Sequence, residues 1–230
     1  MTQKGFKIME IKEMNLETFK FMKEEFYSGV ISDILDDYGL RNQHLDPSIR
    51  PVDPQLKVVG EAMTMLSIDT YDIPQKPYEM ELKALDELKE GQVIVVTSNF
   101  SKRTGFWGEL LTTLAMRRGC NGAIMDAYTR DTAKILKLGF PLFVTGYSPV
   151  DSKGRSEVIS YNCHIELGGV SVDPGDIVFG DIDGIVIIPK KIAVEVANKA
   201  YEKIHSENKV REELLNGKSI TEVYDKYKIL

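Results

Sequence analysis

Sulfur and imidazole are scarce in this chain. Two cysteines, Cys120 and Cys163, and three histidines are spread over 230 residues. Two cysteines cannot build a disulfide framework, and neither sits in a CxxC pair. Three histidines are too few to suggest a histidine-rich zinc site. No stretch reaches the 18 apolar residues of a membrane span, so no transmembrane helix is expected. Residues 1–15 lack an apolar run, so no signal peptide is expected either. Positive charge is not in excess: 29 Lys and Arg stand against 35 Asp and Glu, a formal net charge of −6. That balance disfavours a dedicated nucleic-acid binder, which usually carries a basic face. Repeats and low-complexity segments are absent too. A reduced, cytoplasmic protein with no nucleic-acid or membrane partner is the expectation.

What is present is ordinary for a globular chain. Hydrophobic residues make up 43% and charged residues 28%, enough for a sizeable core. Leu16, Phe19, Met22 and Phe26 recur at helical spacing behind Asn15, a suitable N-cap, and Ser28-Gly29 should break that helix. Val30, Ile31, Ile34 and Leu35 mark a second short helix. The proline-rich run from Leu45 to Pro54 reads as an extended loop. Strands are expected over 57–68, with an interruption at Gly60, and over 93–96, 123–125 and 141–144. Helices over 78–89, 109–118 and 131–138 alternate with them, which favours a parallel sheet. From Ile165 to Pro189 short β-rich runs joined by Asp- and Gly-containing turns predict a small antiparallel region. Ile192, Val196, Ala200 and Ile204 then open a long helix that turns polar, and Ser219 starts a last short one. No linker divides the chain. One α/β domain over 1–230 is expected, with an N-terminal helical segment over 1–27 and a C-terminal helical arm over 190–230. Such an arm should pack on a neighbouring subunit.

Two segments concentrate chemistry: Gly108-Glu109-Leu110-Leu111 and Asp126-Ala127-Tyr128-Thr129-Arg130-Asp131. Both fall where a loop enters a helix, and free N–H groups there attract anions. Arg130 offers a planar fork for a carboxylate or phosphate. Asp131 and Glu109 are hard oxygen ligands of the kind Mg²⁺ or Mn²⁺ prefers. The same residue types would also serve as a helix-start charge and a structural Arg130–Glu109 ion pair. Cys120 has no His or Cys partner nearby, so a small buried side chain is expected there.

Several motifs together carry a family resemblance. They include Val30-Ile31-Ser32-Asp33, Ile49-Arg50-Pro51, Val58-Val59-Gly60-Glu61-Ala62, Arg118-Gly119-Cys120-Asn121-Gly122, Gly139-Phe140-Pro141, Pro174-Gly175-Asp176 and Asp181-Ile182-Asp183-Gly184. With the two segments above, in this order from about Ser28 to Gly217, the chain resembles the RraA-like family (regulator of ribonuclease activity A). That family includes the class II, divalent-metal-dependent 4-hydroxy-4-methyl-2-oxoglutarate aldolases. Its aldolase branch is marked by an acidic residue, twenty residues, then Arg-Asp. Here Glu109 and Arg130 enclose residues 110–129.

The resemblance implies a compact layered β/β/α sandwich of the swivelling-domain type, assembled as a homotrimer or homohexamer. It implies that Asp131 ligates Mg²⁺ or Mn²⁺ directly and that Glu109 holds it through water. Arg130 would bind a pyruvate-like 2-oxoacid, with backbone at Gly108, Leu110 and Leu111 holding the carboxylate. Glu207 would reach the site from an adjacent subunit, with Arg130 and Glu109 as the other catalytic groups. A water at the metal would act as base. The implied activity is cleavage of a 4-hydroxy-2-oxoacid to pyruvate, with oxaloacetate decarboxylation alongside. Two other readings are a non-catalytic regulator that binds a ribonuclease or helicase, and a metal-dependent lyase of a sugar-acid pathway. The chain departs from the aldolase pattern at Ala127, where glycine is usual, and at Thr97-Ser98, where an aspartate is usual. Tyr128 and Trp107 are candidate pocket walls.

Overall fold

The structure is a computed structural model that describes residues 10–229. The first nine residues of the expected N-terminal helical segment lie outside the described residues. Helix α1 (Leu16–Glu25) is capped by Asn15, whose side chain accepts from the Thr18 N–H. The break comes at Phe26-Tyr27 rather than at Ser28-Gly29. Helix α2 (Ser28–Asp37) begins at Ser28 because the buried Asp181 carboxylate accepts from both its N–H and its hydroxyl. A cap supplied from so far along the chain leaves no local signal.

Strands β1 (Arg50–Pro51) and β2 (Val58–Asp69) follow the proline-rich loop. No interruption occurs at Gly60; β2 passes straight through it. A Cβ on Gly60 would come 2.2 Å from the Gly91 carbonyl oxygen, so glycine is there for close approach. Next come α3 (Glu79–Asp86), β3 (Gln92–Thr97), β4 (Gly105–Trp107) and α4 (Glu109–Arg117). They are followed by β5 (Gly122–Met125), β6 (Tyr128–Thr129), α5 (Thr132–Leu138), β7 (Leu142–Val144) and β8 (Gly146–Tyr147). The rest is β9 (Ser156–Tyr161), β10 (Ile165–Leu167), β11 (Val170–Val172), β12 (Ile177–Gly180), β13 (Ile185–Ile188), α6 (Ala193–Leu215) and α7 (Ile220–Tyr227).

The main sheet runs β1-β7-β5-β3-β2-β12-β13, with β9 also paired to β2. Strands β2, β3, β5 and β7 are parallel, as the alternating pattern predicts. The expected small antiparallel region divides in two. Strands β12 and β13 are antiparallel but join the main sheet through β2, whereas β10 and β11 form a separate hairpin.

Strand periodicity sorts the core into layers. Met63, Met65, Ile94, Val96, Ala123 and Met125 face helices α3, α4 and α5. Ala62, Val93, Val95 and Ile124 face the β10–β11 hairpin. The result is a β/β/α sandwich. A further apolar cluster packs α1, α2 and α6 on Val59, Ile177, Phe179, Val186 and Ile188. Helix α6 therefore belongs to the core through Val196, Ala197, Ala200 and Ile204, and beyond Ile204 only Val210 of this helix is buried. No helix among the described residues is long and apolar enough to cross a membrane.

Candidate active site

The site is built by a second, smaller sheet. After β3, β5 and β7 leave the main sheet, the chain forms β4, β6 and β8, which pair with one another in parallel. Thr129 is in register with Trp107, and the Arg130 N–H donates to the Trp107 carbonyl at 2.8 Å. That pairing sets Arg130-Asp131 beside Gly108-Glu109. The twenty residues between Glu109 and Arg130 are the rest of α4, a turn, β5 and β6, which return the chain to the neighbouring strand. The site thus lies at the carboxyl ends of the parallel strands, where open α/β sheets bind ligands.

Gly108 is the N-cap of α4 and Asp131 the N-cap of α5. Asp131 takes a left-handed backbone, φ 56°, and its Oδ2 accepts from the Glu109 N–H at 3.3 Å. The N–H groups of Leu110 and Leu111, in the first helical turn, have no acceptor among the described residues. A Cβ on Gly108 would stand 3.1 Å from Asp131 Oδ2 and 3.3 Å from Arg130 Nε. Glycine keeps that corner open.

The expected alternative, an Arg130–Glu109 ion pair, is not formed. Arg130 pairs with Asp151 at 3.1 Å, and Glu109 lies 3.9 Å from Lys134 while accepting from the Thr113 hydroxyl. Asp151 also accepts from Tyr78 at 2.8 Å. Burial works against the Asp151 carboxylate, but Tyr78 and Arg130 outweigh it and hold its pKa below the usual range. Burial, then the hydrogen bond to Asp151, pushes the Tyr78 hydroxyl up to about 12. Tyr78 too is left-handed, φ 66°.

Arg130, Asp131, Asp151 and Tyr78 line a cavity of about 210 Å³, and Glu109 stands outside its wall. Arg130, Asp131 and Gly108 form one side, Leu110, Leu111, Leu82 and Phe106 the apolar walls, and Tyr78, Glu81, Asp151 and Ser152 the rest. Sequence reasoning did not find Tyr78, Glu81 or Asp151. Glu81 is the group with a readable signal: it shares a helical stripe with Ala84, Leu85 and Leu88, all buried.

Other candidates fall elsewhere. Trp107 is fully buried in the core, its indole N–H donating to Thr112, and does not line the cavity. Tyr128 packs over Gly146 and is likewise outside the cavity wall. Within one chain Glu207 is not brought to Arg130; it accepts from the Tyr27 hydroxyl beside α2. Asp126 is 1% exposed and accepts from the Thr97 hydroxyl and from the Ser98 N–H and hydroxyl. The departure at Thr97-Ser98 thus ties the end of β3 to the end of β5. Cys120 is buried, and burial lifts its thiol to about 11, away from nucleophilic use. No cluster of three or more His, Cys, Asp or Glu side chains able to hold a metal occurs among the described residues.

A family model described as RraA-like, Aldolase/RraA, matches residues 29–187. The chain belongs to the RraA-like family. Among its curated relatives, "Putative 4-hydroxy-4-methyl-2-oxoglutarate aldolase" of Halalkalibacterium halodurans is 32% identical over 186 residues, covering 81% of this chain and 83% of that protein. Protein DlpA of Legionella pneumophila is 28% identical over 200 residues, 87% of this chain. The match spans only 32% of DlpA, so this chain corresponds to about a third of that relative. Among solved structures, Streptomyces coelicolor RraAS2, described as an unusual member of the RNase ES inhibitor RraA protein family, superposes with a TM-score of 0.76. It is 27% identical, over 87% of this chain and 98% of RraAS2. The RraA-like fold and the layered sandwich therefore agree.

Proposed function

We propose that this protein is a carbon–carbon lyase that cleaves a 4-hydroxy-2-oxoacid to pyruvate and a carbonyl product. The observation that supports this reading best is the meeting of Arg130, Asp131 and the open start of α4 on one cavity wall. The donor set suits a divalent ion such as Mg²⁺ or Mn²⁺. Asp131 Oδ1 has no hydrogen-bond partner among the described residues, and the Glu109 carboxylate is only loosely held by Lys134. Ions of this kind keep several waters and take one or two carboxylates. Asp131 would hold the ion directly and Glu109 through water. When bound, the ion supplies Lewis-acid polarisation of the 2-oxo oxygen.

The chain's own groups do the rest. The N–H groups of Leu110 and Leu111 receive the substrate carboxylate at the helix start. The Arg130 fork binds the carboxylate and the 2-oxo oxygen. As the C–C bond breaks, charge grows on that oxygen and Arg130 meets it. The same charge grows when oxaloacetate loses CO2, so oxaloacetate decarboxylation accompanies the main reaction. Glu207 completes the site of an adjacent subunit in a homotrimer or homohexamer. The cytoplasm, where small 2-oxoacids are abundant, is the compartment this reading assigns.

The test is pyruvate release from 4-hydroxy-4-methyl-2-oxoglutarate and from oxaloacetate, with Mg²⁺, with Mn²⁺ and with EDTA. Release should require the metal and should fall at least about 100-fold in Asp131→Ala. Release that EDTA leaves intact would sink the metal-dependent reading. The likeness to RraAS2 favours a second reading, a regulator that binds a ribonuclease or helicase without catalysis. In that case Asp131→Ala would leave partner binding unchanged and no substrate would turn over. A lyase of a sugar-acid pathway would use the same site on a different substrate.

A further inference from the structure

Glu81 has no part in the reaction just described. It sits on the apolar stripe of α3 with Ala84 and Leu85, and only 5% of it is exposed. Glu81 lines the cavity that holds Arg130 and Asp131, its carboxyl feels the charges of Asp151 and Arg130, and it has no side-chain hydrogen bond to any described residue. A carboxyl taken from water without a partner is costly to the fold. A leucine on the same stripe would be buried without that cost. The charged and titratable groups facing Glu81 are Arg130, Asp131 and Asp151 across the cavity, and Tyr78 at the start of its own helix. Asp151 is committed to Tyr78 and Arg130. Among the carboxyls lining the cavity, Asp131 accepts one backbone N–H, and Glu81 has no hydrogen bond or ion pair to any described residue.

We propose that Glu81, in place of the water at the metal that the family resemblance implies, is the general base of the cleavage, taking the proton from the 4-hydroxyl of the bound 2-oxoacid. This role rests on the lyase reading. The hydroxyl O–H bond breaks and its proton passes to the Glu81 carboxylate. The C4–O bond becomes a carbonyl as the C3–C4 bond breaks. The electron pair of that bond moves onto the 2-oxo oxygen, which Arg130 faces. Water protonates C3 to give pyruvate, and Glu81 returns its proton to water, so protons and electrons balance. Burial, followed by the Asp151 charge, lifts the Glu81 carboxyl to about 7 against the opposing pull of Arg130. A base poised near the working pH is well matched to this transfer.

Oxaloacetate separates this role from a structural one. It carries no 4-hydroxyl, and its C3–C4 bond breaks by loss of CO2 without a base at that position. Native protein, Glu81→Gln and Glu81→Asp are compared for pyruvate release from 4-hydroxy-4-methyl-2-oxoglutarate and from oxaloacetate, with Mn²⁺ and with thermal melting as a fold check. Glu81→Gln should lose roughly 100- to 10,000-fold of aldol cleavage and keep oxaloacetate decarboxylation within about threefold, with Glu81→Asp between. The native cleavage should also fall as the pH is lowered, along a limb that decarboxylation lacks. Equal loss of both reactions in Glu81→Gln, loss of neither, or absence of the pH limb would overturn the role of Glu81 alone. No pyruvate from either substrate with native protein would overturn the lyase reading, and this role with it.

Discussion

A buried glutamate has a price in stability, and its sign follows from the direction of its shift. The Glu81 carboxyl stands at about 7 in the folded chain against an ordinary 4.5, so the folded state binds the proton more tightly than the unfolded one. The cost is absent below about 4.5, grows as the pH rises, and is complete above about 7. A shift of this size corresponds to about 3 kcal/mol. Glu81→Gln should therefore stabilise the metal-free protein by about 1–3 kcal/mol at pH 8 and by little at pH 4, read from urea midpoints. An equal gain at both pH values would show that the charge is not the cause. At this scale Arg130 and Asp131 were legible as cavity residues because they fall on a loop-to-helix entry, whereas Glu109, read with them, lies beside the cavity and not in its wall. Tyr78 and Asp151 were not, because each reaches the cavity from a distant segment and nothing beside it in sequence marks it. Glu81 was half legible: an acidic residue on the stripe formed with Ala84, Leu85 and Leu88 is out of place unless the cavity uses it.

At the scale of elements, the main parallel strands were readable as continuous apolar runs, and their helices as amphipathic partners. The small second sheet was not, because β6 and β8 are two residues each and carry no period. Yet that sheet is what aligns Gly108 with Arg130. It depends on a polar tie at its base, where buried Asp126 holds Thr97 and Ser98. Asp126→Ala would leave the Ser98 N–H and two hydroxyls without their acceptor in a dry position. The expected loss is about 2–4 kcal/mol, seen as a lower urea midpoint with an unchanged slope. A loss under about 0.5 kcal/mol would show that water replaces the carboxylate there.

At the scale of the whole molecule the open point is whether Glu207 and Arg130 meet between subunits. In one chain Glu207 faces Tyr27 beside α2, on the packing surface of α6, while Arg130 lies at the far ends of β4 and β6. If sites are shared between subunits, Asp131→Ala and Glu207→Ala proteins are each inactive alone. After mixing under exchange conditions they should regain about a quarter of the native rate, because about one site in four then draws both groups from intact copies. No recovery, with subunit exchange verified by mass, would confine the site to one chain. Two residues on the cavity rim, Tyr78 and Asp131, hold left-handed backbones that only glycine adopts without cost. Replacing Asp131 by glycine would release strain of roughly 1 kcal/mol while removing the carboxylate beside Glu109, whereas at Tyr78 the lost ring packing and the lost hydrogen bond to Asp151 outweigh that gain. A population selected for heat resistance alone would therefore drift toward glycine at Asp131, and the proposed metal ligand would be the first thing it lost.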